Sequence, residues 1–198
     1  DVNVGGTAVL LRAMELVGCD NIIFSSSATV YGEPKYLPCD ENHPLDPINP
    51  YGRTKLIGEN LLSDWSRVKP NRRHAVALRY FNPVGADPSG EIGEDPCDVP
   101  NNLMPFLAQV AVGRRDCLQI FGDDYDTIDG TGVRDYIHVT DLARSHVAAM
   151  EHINDIKQFE AINIGTGSGI SVLQMIKEFE KQSGTRVKYE IVPRRPGD

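Results

Sequence analysis

The sequence predicts an α/β fold, a doubly wound parallel sheet with a small α/β lobe inserted after its carboxyl edge. Three observations lead to this prediction. Segments with helical periodicity alternate with strand-like segments along the 198 residues. The strand-like segments are nearly continuous apolar runs, which is typical of parallel strands covered by helices on both faces. The stretch 83–135 is rich in Gly, Pro, Asn and Asp and is too long for an ordinary connection, so we expect a functional insertion there.

The first half of the chain predicts alternating helices and strands. Residues 4–17 have helical periodicity that ends at Gly18, and the apolar run NIIFSS follows as a buried strand. A Pro-rich loop then leads to Pro50, after which a helix begins at Tyr51. Its apolar residues recur with helical spacing at Leu56, Ile57, Leu61, Leu62 and Trp65. The run AVALRYF is the next buried strand.

The second half has weaker signals inside the insertion and stronger ones after it. A short helix is expected near 103–112, and LQIF is a short strand. Thr140 and Asp141 cap a helix that precedes the apolar strand AINIG. Ser171 caps a further helix that ends at Gly184, and RVKYEIV is the last predicted strand.

Composition excludes several classes of protein. A hydrophobic content of 40% is enough to bury a core in one or two domains. The net charge of −8 argues against nucleic acid or an anionic membrane surface as the main partner. No apolar run approaches the roughly 18 residues of a membrane span, and the first residues do not resemble a signal peptide. We therefore expect no nucleic-acid partner and no membrane partner.

Cysteine and histidine spacing argues against a metal site. The four cysteines are scattered without a Cys-x-x-Cys pair, so we interpret them as reduced thiols of a cytoplasmic protein. The histidines form no His-Glu-x-x-His motif. The acidic run from Asp123 to Asp129 lacks the Glu that closes a calcium loop, and we interpret it as a solvated loop. No metal is expected.

Tyr51 and Lys55 are the strongest candidates for chemistry. They lie four residues apart at the predicted helix start, so their side chains share one face. A free phenol has a pKa of about 10, and a base near neutrality must lose roughly three units, about 4 kcal/mol of anion stabilisation. A nearby ammonium supplies part of that. A surface pair without a catalytic role remains the alternative on this spacing alone.

Other polar residues converge on the same edge of the predicted sheet. Ser25, Ser26 and Ser27 leave the first strand at its carboxyl end, and FNP leaves the next strand. Ligands of doubly wound sheets bind at that edge. Serine runs and Asn-Pro pairs are each common in turns, so the convergence with Tyr51 and Lys55 is what indicates a site.

Six motifs together resemble one family. SSSATVYG, PYGRTK, LRYFNPVGA, NNLMP, GTGVRDYIHVTDLA and RRPGD occur in this order along the chain. They resemble the UDP-glucose 4-epimerases of the extended short-chain dehydrogenase/reductase family. The resemblance implies a Rossmann-like fold, NAD as cofactor, and interconversion of UDP-glucose and UDP-galactose through a transient 4-keto sugar.

The resemblance also implies a role for each candidate at the predicted sheet edge. Tyr51 is the base, Lys55 holds the nicotinamide ribose and tunes Tyr51, and Ser27 hydrogen-bonds the sugar hydroxyl and Tyr51. Tyr80 and Phe81 are expected to line the nicotinamide side. The NAD-binding residues implied are therefore these five.

Further residues are implied to contact the UDP-sugar beyond Ser27 and Tyr51. Asn82, Asn102 and Leu103 match UDP contacts, Gln119 and Phe121 match positions that hold uracil, and Arg134, Arg195 and Asp198 match contacts to diphosphate and ribose. The implied domains are residues 1–83 with 134–165, the carboxyl-terminal half of the NAD-binding domain, and residues 84–133 with 166–198, an incomplete nucleotide-sugar-binding lobe.

One feature of the family pattern is missing. No strand followed by a Gly-rich turn opens the chain, so we expect a fragment that lacks this NAD-binding part and the carboxyl-terminal end. GTGSG at 165–169 is interpreted as a turn. A 4,6-dehydratase or decarboxylase of the same family, or a catalytically dead nucleotide-sugar-binding fragment, remains an alternative. Ala28 and Thr29 stand where dehydratases carry acids, which favours an epimerase. The full-length protein is expected to be a homodimer.

Overall fold

The structure, a computed structural model, describes residues 2–195. Within them the helices and strands follow in the order α1 (Val2–Val17), β1 (Asn21–Ser27), α2 (Pro50–Arg67), β2 (His74–Tyr80), β3 (Asn82–Val84), α3 (Leu103–Ala111), β4 (Leu118–Phe121), β5 (Val133–His138), α4 (Val139–Glu151), β6 (Phe159–Ile164), β7 (Gly169–Ser171), α5 (Val172–Ser183) and β8 (Tyr189–Val192). Each predicted helix and strand is confirmed to within a few residues at its ends. The short strands β3, β5 and β7 were not predicted.

The chain divides into two units. Asp1–Phe81 and Asp141–Gly167 form the first, and Asn82–Thr140 and Ser168–Asp198 form the second. This division differs from the predicted domains at residues 82–83, 134–140 and 166–167. The largest difference, at 134–140, arises because β5 pairs with β3 and β7 of the second unit.

A parallel three-stranded sheet, in the order β1-β2-β6, is the centre of the first unit. In the central strand β2, the residues from Ala75 to Leu78 are almost fully buried, as the apolar run predicts. Asn49 caps α2 by accepting a hydrogen bond from the Gly52 amide, and Pro50 is the first residue of the helix. The predicted α/β class with parallel strands is confirmed.

Helices α1 and α2 cover this sheet through a small apolar core. Leu11, Met14, Leu62, Trp65 and Ala75 form the buried cluster. Gly58 brings α2 close to β1, because a β-carbon at this position would lie 2.6 Å from the Phe24 ring. The glycine thus sets the distance between the helix that carries Tyr51 and the strand that carries the serine run.

The second unit contains two small sheets. β5 lies between β3, to which it is parallel, and β7, to which it is antiparallel, while β4 and β8 form a parallel pair. Its core is the cluster of Leu107, Val110, Leu118, Ile120, Ile176 and Val187. Helix α5 begins with a capping box between Ser171 and Gln174, and it ends at Gly184 with a φ of +67°.

The acidic run in the second unit is more than a solvated loop. Asp129 accepts hydrogen bonds from the Ser171 hydroxyl and from both the amide and the hydroxyl of Thr131. Partial burial would raise the pKa of Asp129, but these hydrogen bonds outweigh it and hold the pKa below its usual value. The carboxylate therefore ties this loop to the start of α5, and the sequence interpretation was wrong for this residue.

None of the helices within residues 2–195 combines the length and the apolar character needed to cross a bilayer.

Candidate active site

Tyr51 and Lys55 lie on consecutive turns of α2 at the carboxyl edge of the first sheet. The Lys55 ammonium is 5.4 Å from the centre of the Tyr51 ring and 5.3 Å from that of Phe24. It also donates a 2.9 Å hydrogen bond to the Ser25 carbonyl oxygen at the end of β1. Half of the Tyr51 side chain is exposed, so the phenol is accessible to a ligand. Lys55 therefore links the tyrosine to the serine run.

Ser27 ends β1 with its hydroxyl turned toward Thr29. The Ser27 oxygen accepts hydrogen bonds from the Thr29 amide at 3.2 Å and from the Thr29 hydroxyl at 3.0 Å. Within residues 2–195, no hydrogen bond joins Ser27 to Tyr51, and the Tyr51 hydroxyl forms none. The implied contact between the two hydroxyls is therefore not among the hydrogen bonds of the described residues.

Tyr80, at the end of β2, belongs to a chain of polar groups that sequence reasoning did not find. Its hydroxyl lies 2.8 Å from Ser25 Oγ and 2.5 Å from His146 Nε2. His146 Nδ1 lies 2.9 Å from the Leu142 carbonyl, which can only accept. In the neutral ring, Nδ1–H therefore donates to Leu142 and Nε2 is an acceptor, and the single proton of the Tyr80 hydroxyl is donated either to Ser25 Oγ or to Nε2. Phe81, the next residue, is half-buried.

Burial opposes ionisation of the tyrosine at this site. Burial raises the pKa of Tyr51 above its usual value, and burial lowers the pKa of Lys55. Burial also raises the pKa of Tyr80, against the opposing hydrogen bond with Ser25. Burial is the cause that raises the pKa of Tyr51, so the role of Lys55 in tuning Tyr51 stays a prediction.

The second unit holds the residues implied to contact the nucleotide. Asn102 precedes the first residue of α3, Leu103, and its side chain donates to Glu94 at 2.9 Å. Leu103 packs against the apolar core of the unit. Asn82 begins β3, where it is the register partner of Tyr136 in β5. The start of α3 thus positions Asn102 and Leu103, and the start of β3 positions Asn82.

The pair of strands β4 and β8 brings a second group together. Gln119 donates a 3.1 Å hydrogen bond to Glu190, its register partner. The Arg195 guanidinium lies 4.4 Å from the centre of the Phe121 ring, a cation–π geometry. Arg134, in β5, donates to the Val133 carbonyl at 2.9 Å. Asp198 lies outside the described residues.

Comparison with known proteins identifies the family. The model of the NAD dependent epimerase/dehydratase family matches residues 1–165. The chain belongs to this family. The match includes the serine run, Tyr51, Lys55 and Tyr80. Arg195 and Asp198 lie after the matched range.

Relatives in the NAD dependent epimerase/dehydratase family confirm the resemblance inferred from the motifs. The chain is 56% identical to UDP-glucose 4-epimerase 2 of Oryza sativa subsp. japonica over 200 residues, which cover 100% of this chain and 49% of the relative. It is also 56% identical to UDP-glucose 4-epimerase of Bacillus subtilis, over 99% of this chain and 58% of the relative. The chain thus spans about half the length of the curated relatives it matches.

A solved structure of the epimerases extends the comparison to the fold. UDP-glucose 4-epimerase from Bifidobacterium longum, in complex with NAD⁺ and UDP, superposes with a TM-score of 0.94. It is 54% identical in sequence, and the match covers 99% of this chain and 58% of that one. The predicted Rossmann-like α/β class is therefore confirmed for this member of the NAD dependent epimerase/dehydratase family.

Two charged residues beneath the site were also missed from sequence. Glu59 and Arg79 are buried and form an ion pair at 2.7 Å in the first unit. Two signals were available. Glu59 continues the spacing of Tyr51 and Lys55 by one further turn, and Arg79 is a charge inside the apolar run AVALRYF.

Proposed function

We propose that this chain acts in the NAD-dependent interconversion of UDP-glucose and UDP-galactose through a transient 4-keto sugar. The supporting observation is the Tyr51–Lys55 pair on α2, held to the serine run by the hydrogen bond from Lys55 to Ser25. This pair supports the proposal because the whole chain around it is 56% identical to a UDP-glucose 4-epimerase. The activity for which these relatives are named thus fits a site that offers a base and a cation.

The residues at the carboxyl edge of the first sheet fit NAD as cofactor. An ammonium has several N–H donors, and one from Lys55 reaches Ser25, which leaves others for ribose hydroxyls. Tyr80 and Phe81, both half-buried, offer aromatic surface for a nicotinamide ring. When bound, NAD accepts a hydride from C4 of the sugar and returns it to the opposite face.

The chain's own residues are proposed to move the proton and hold the sugar. Tyr51 removes the proton from the 4-hydroxyl and later returns it. Lys55, with its positive charge beside the ring, favours the phenolate once a ligand excludes water from the site. Ser27 donates a hydrogen bond to the 4-oxygen with its hydroxyl proton, which its two contacts with Thr29 leave unused because Ser27 accepts in both. Anchoring on UDP then leaves the sugar free to present either face.

The second unit is proposed to anchor the UDP. Phe121 offers an aromatic face for uracil, Arg195 and Arg134 offer guanidinium groups for the diphosphate, and the amides of Asn82, Asn102 and Gln119 offer hydrogen bonds. Leu103 and Asp198 complete the proposed set from the family pattern. These contacts address the part of the substrate that does not react.

Replacement of Arg195 tests the anchoring proposal. In the full-length protein we expect Arg195→Gln to weaken UDP binding about tenfold, because a charge-assisted contact to phosphate is lost. Turnover at saturating substrate should change little, since the reacting carbon is distant from the diphosphate. Calorimetry with UDP measures the affinity. Arg67→Gln, an equal change of charge at an exposed ion pair of α2, is the control, and equal UDP affinity in both variants contradicts the proposal.

A product assay of the full-length protein tests the reaction itself. With UDP-glucose we expect UDP-galactose at equilibrium and no net consumption of NAD. A 4,6-dehydrated product from UDP-glucose would establish a dehydratase, and release of CO2 from UDP-glucuronate, assayed in parallel, would establish a decarboxylase. UDP binding with no conversion would establish a nucleotide-sugar-binding protein without activity. The same assay on the N-acetylated sugars defines the substrate range.

Assembly and location complete the proposal. Helix α1 exposes the large apolar side chains Val9, Leu10, Leu16 and Val17, which supports a homodimer of the full-length protein. Light scattering at several concentrations should give twice the monomer mass, and a monomer throughout would contradict the homodimer.

The unpaired cysteines within residues 2–195 support a reducing, cytoplasmic location, which fractionation of cells can test.

A further inference from the structure

A buried polar network lies in the first unit directly beneath the serine run. We define the Glu59–Arg79 network as Ser26, Tyr31, Glu59, Arg79 and Asn163. Ser26, Arg79 and Asn163 are register partners across β1, β2 and β6, so they form one row across the sheet. Glu59 and Arg79 are only 2% and 3% exposed. Charges this deeply buried are rare in proteins and need a specific reason.

Each side chain of the network forms a hydrogen bond with another member. The Glu59 carboxylate accepts from the Ser26 hydroxyl, and it accepts from Arg79 Nε at 3.0 Å and Arg79 Nη2 at 2.7 Å. Arg79 Nη1 donates to the Tyr31 hydroxyl at 2.9 Å. That hydroxyl donates to Asn163 Oδ1 at 2.6 Å. The ion pair is therefore bidentate, a geometry that fixes orientation as well as distance.

The network is continuous with the candidate active site through α2. Tyr51, Lys55 and Glu59 follow each other at intervals of four residues, so they lie along one face of the helix. Lys55 binds the backbone of Ser25, and Glu59 binds the side chain of the next residue, Ser26. Two directional contacts thus hold successive turns of the helix to successive residues of the strand. Such contacts define the axial position and the rotation of α2.

Stability alone is a poor explanation for this arrangement. Replacing a buried ion pair by apolar residues of similar volume is often neutral or stabilising, because the pair's desolvation cost offsets its attraction. Catalysis, in contrast, is sensitive to displacements of about 1 Å in the position of a reacting group. The geometry therefore favours a role in placing Tyr51 and Lys55.

We propose that Glu59 and Arg79 are positioning residues. They hold α2 at a fixed axial position and rotation relative to β1, so that Tyr51 and Lys55 reach the sugar in a productive geometry. This rests on the proposed epimerase function. Neither residue contacts the substrate. Each acts through the helix and through Ser26.

The double variant Glu59→Met/Arg79→Met in the full-length enzyme tests the proposal. Since both charges are removed together, we expect a folded protein with a Tm within about 4 °C of the parent. Turnover should fall about tenfold or more, while the KM for UDP-glucose stays within about twofold. The rising limb of the turnover–pH profile should move to higher pH, because a displaced Lys55 stabilises the Tyr51 phenolate less well.

A second buried arginine provides the matched control. Arg73, at the opposite end of the central strand, is 2% exposed and pairs with Glu15 of α1 at 2.7 Å. Arg73 also donates to the Trp65 carbonyl of α2, so the control is Glu15→Gln, which removes the charge of this pair and leaves that contact in place. Its turnover and pH profile should match those of the parent.

The outcomes separate the two proposals. A folded Glu59→Met/Arg79→Met variant with parental turnover and pH profile overturns the positioning role. If that variant does not fold, Glu59→Gln, which keeps the shape and the acceptor oxygen for Ser26, carries the same test with an expected loss of about threefold or more. Parental turnover in Glu59→Gln then overturns the role. A wild-type enzyme that converts no UDP-glucose overturns the proposed function first.

Discussion

Tyr51→Phe in the full-length enzyme is expected to lower turnover by about 10²-fold or more and to leave UDP affinity nearly unchanged. The substitution removes a single hydroxyl, which forms no hydrogen bond within residues 2–195 and is half exposed. The fold therefore loses little. The reaction loses the group that is proposed to accept the proton of the 4-hydroxyl. Steady-state kinetics on UDP-galactose and calorimetry with UDP measure the two quantities.

Tyr36→Phe is the matched control for this prediction. Tyr36 also carries an accessible hydroxyl in the first unit, and that hydroxyl donates to Asp40 at 2.7 Å. The contact raises the pKa of Tyr36 to about 12, so this phenol is an unsuitable base. Its replacement should leave turnover within about twofold of the parent. Near-parental turnover in Tyr51→Phe would remove Tyr51 from the mechanism.

Lys55→Met is expected to lower turnover by a similar factor, about 10²-fold, and to shift its pH dependence. Burial raises the pKa of Tyr51, and the Lys55 ammonium, 5.4 Å from the centre of the ring, is proposed to oppose that effect. Without the charge the pKa of Tyr51 rises further. The phenolate fraction at any given pH then falls. The rising limb of the turnover–pH profile should therefore move to higher pH.

The pH profile distinguishes an electrostatic role from a structural one. Lys55 also donates to the Ser25 carbonyl, so a loss of turnover alone would be ambiguous. Lys55→Arg keeps the charge and should keep the position of the rising limb, although turnover falls because the guanidinium has a different shape. Lys69→Met, at an exposed lysine beyond the end of α2, is the control. An unshifted profile in Lys55→Met contradicts the tuning role.

Local sequence signals were sufficient for most of the secondary structure. Asn49 and Pro50 start α2, Ser171 and Gln174 start α5, and Gly184 ends α5, because these signals depend only on backbone groups a few residues away. The apolar run of β2 predicted a buried parallel strand for the same local reason. The family could also be inferred from sequence, since its motifs are contiguous in the chain.

The candidate site was only partly predictable from sequence. Tyr51 and Lys55 were found because helical spacing brings them together whatever surrounds the helix. Their roles, and those of the nucleotide-contacting residues, came from the resemblance and remain proposals. His146 was missed because no local pattern connects it with Tyr80, which lies 66 residues away in the chain. Such a contact exists only once β2 and α4 are packed.

Sequence by itself determined the alternation of helices and strands, the pairing of Tyr51 with Lys55, and the family. Tertiary structure alone decided that β3, β5 and β7 exist, because these segments lack the apolar runs that mark the other strands and pair only where the fold brings them together. It also decided that Glu59 and Arg79 are buried and paired, since each is an ordinary charged residue until the fold removes water around both. Both charges can be read from the sequence, but their desolvation is a property of the assembled core.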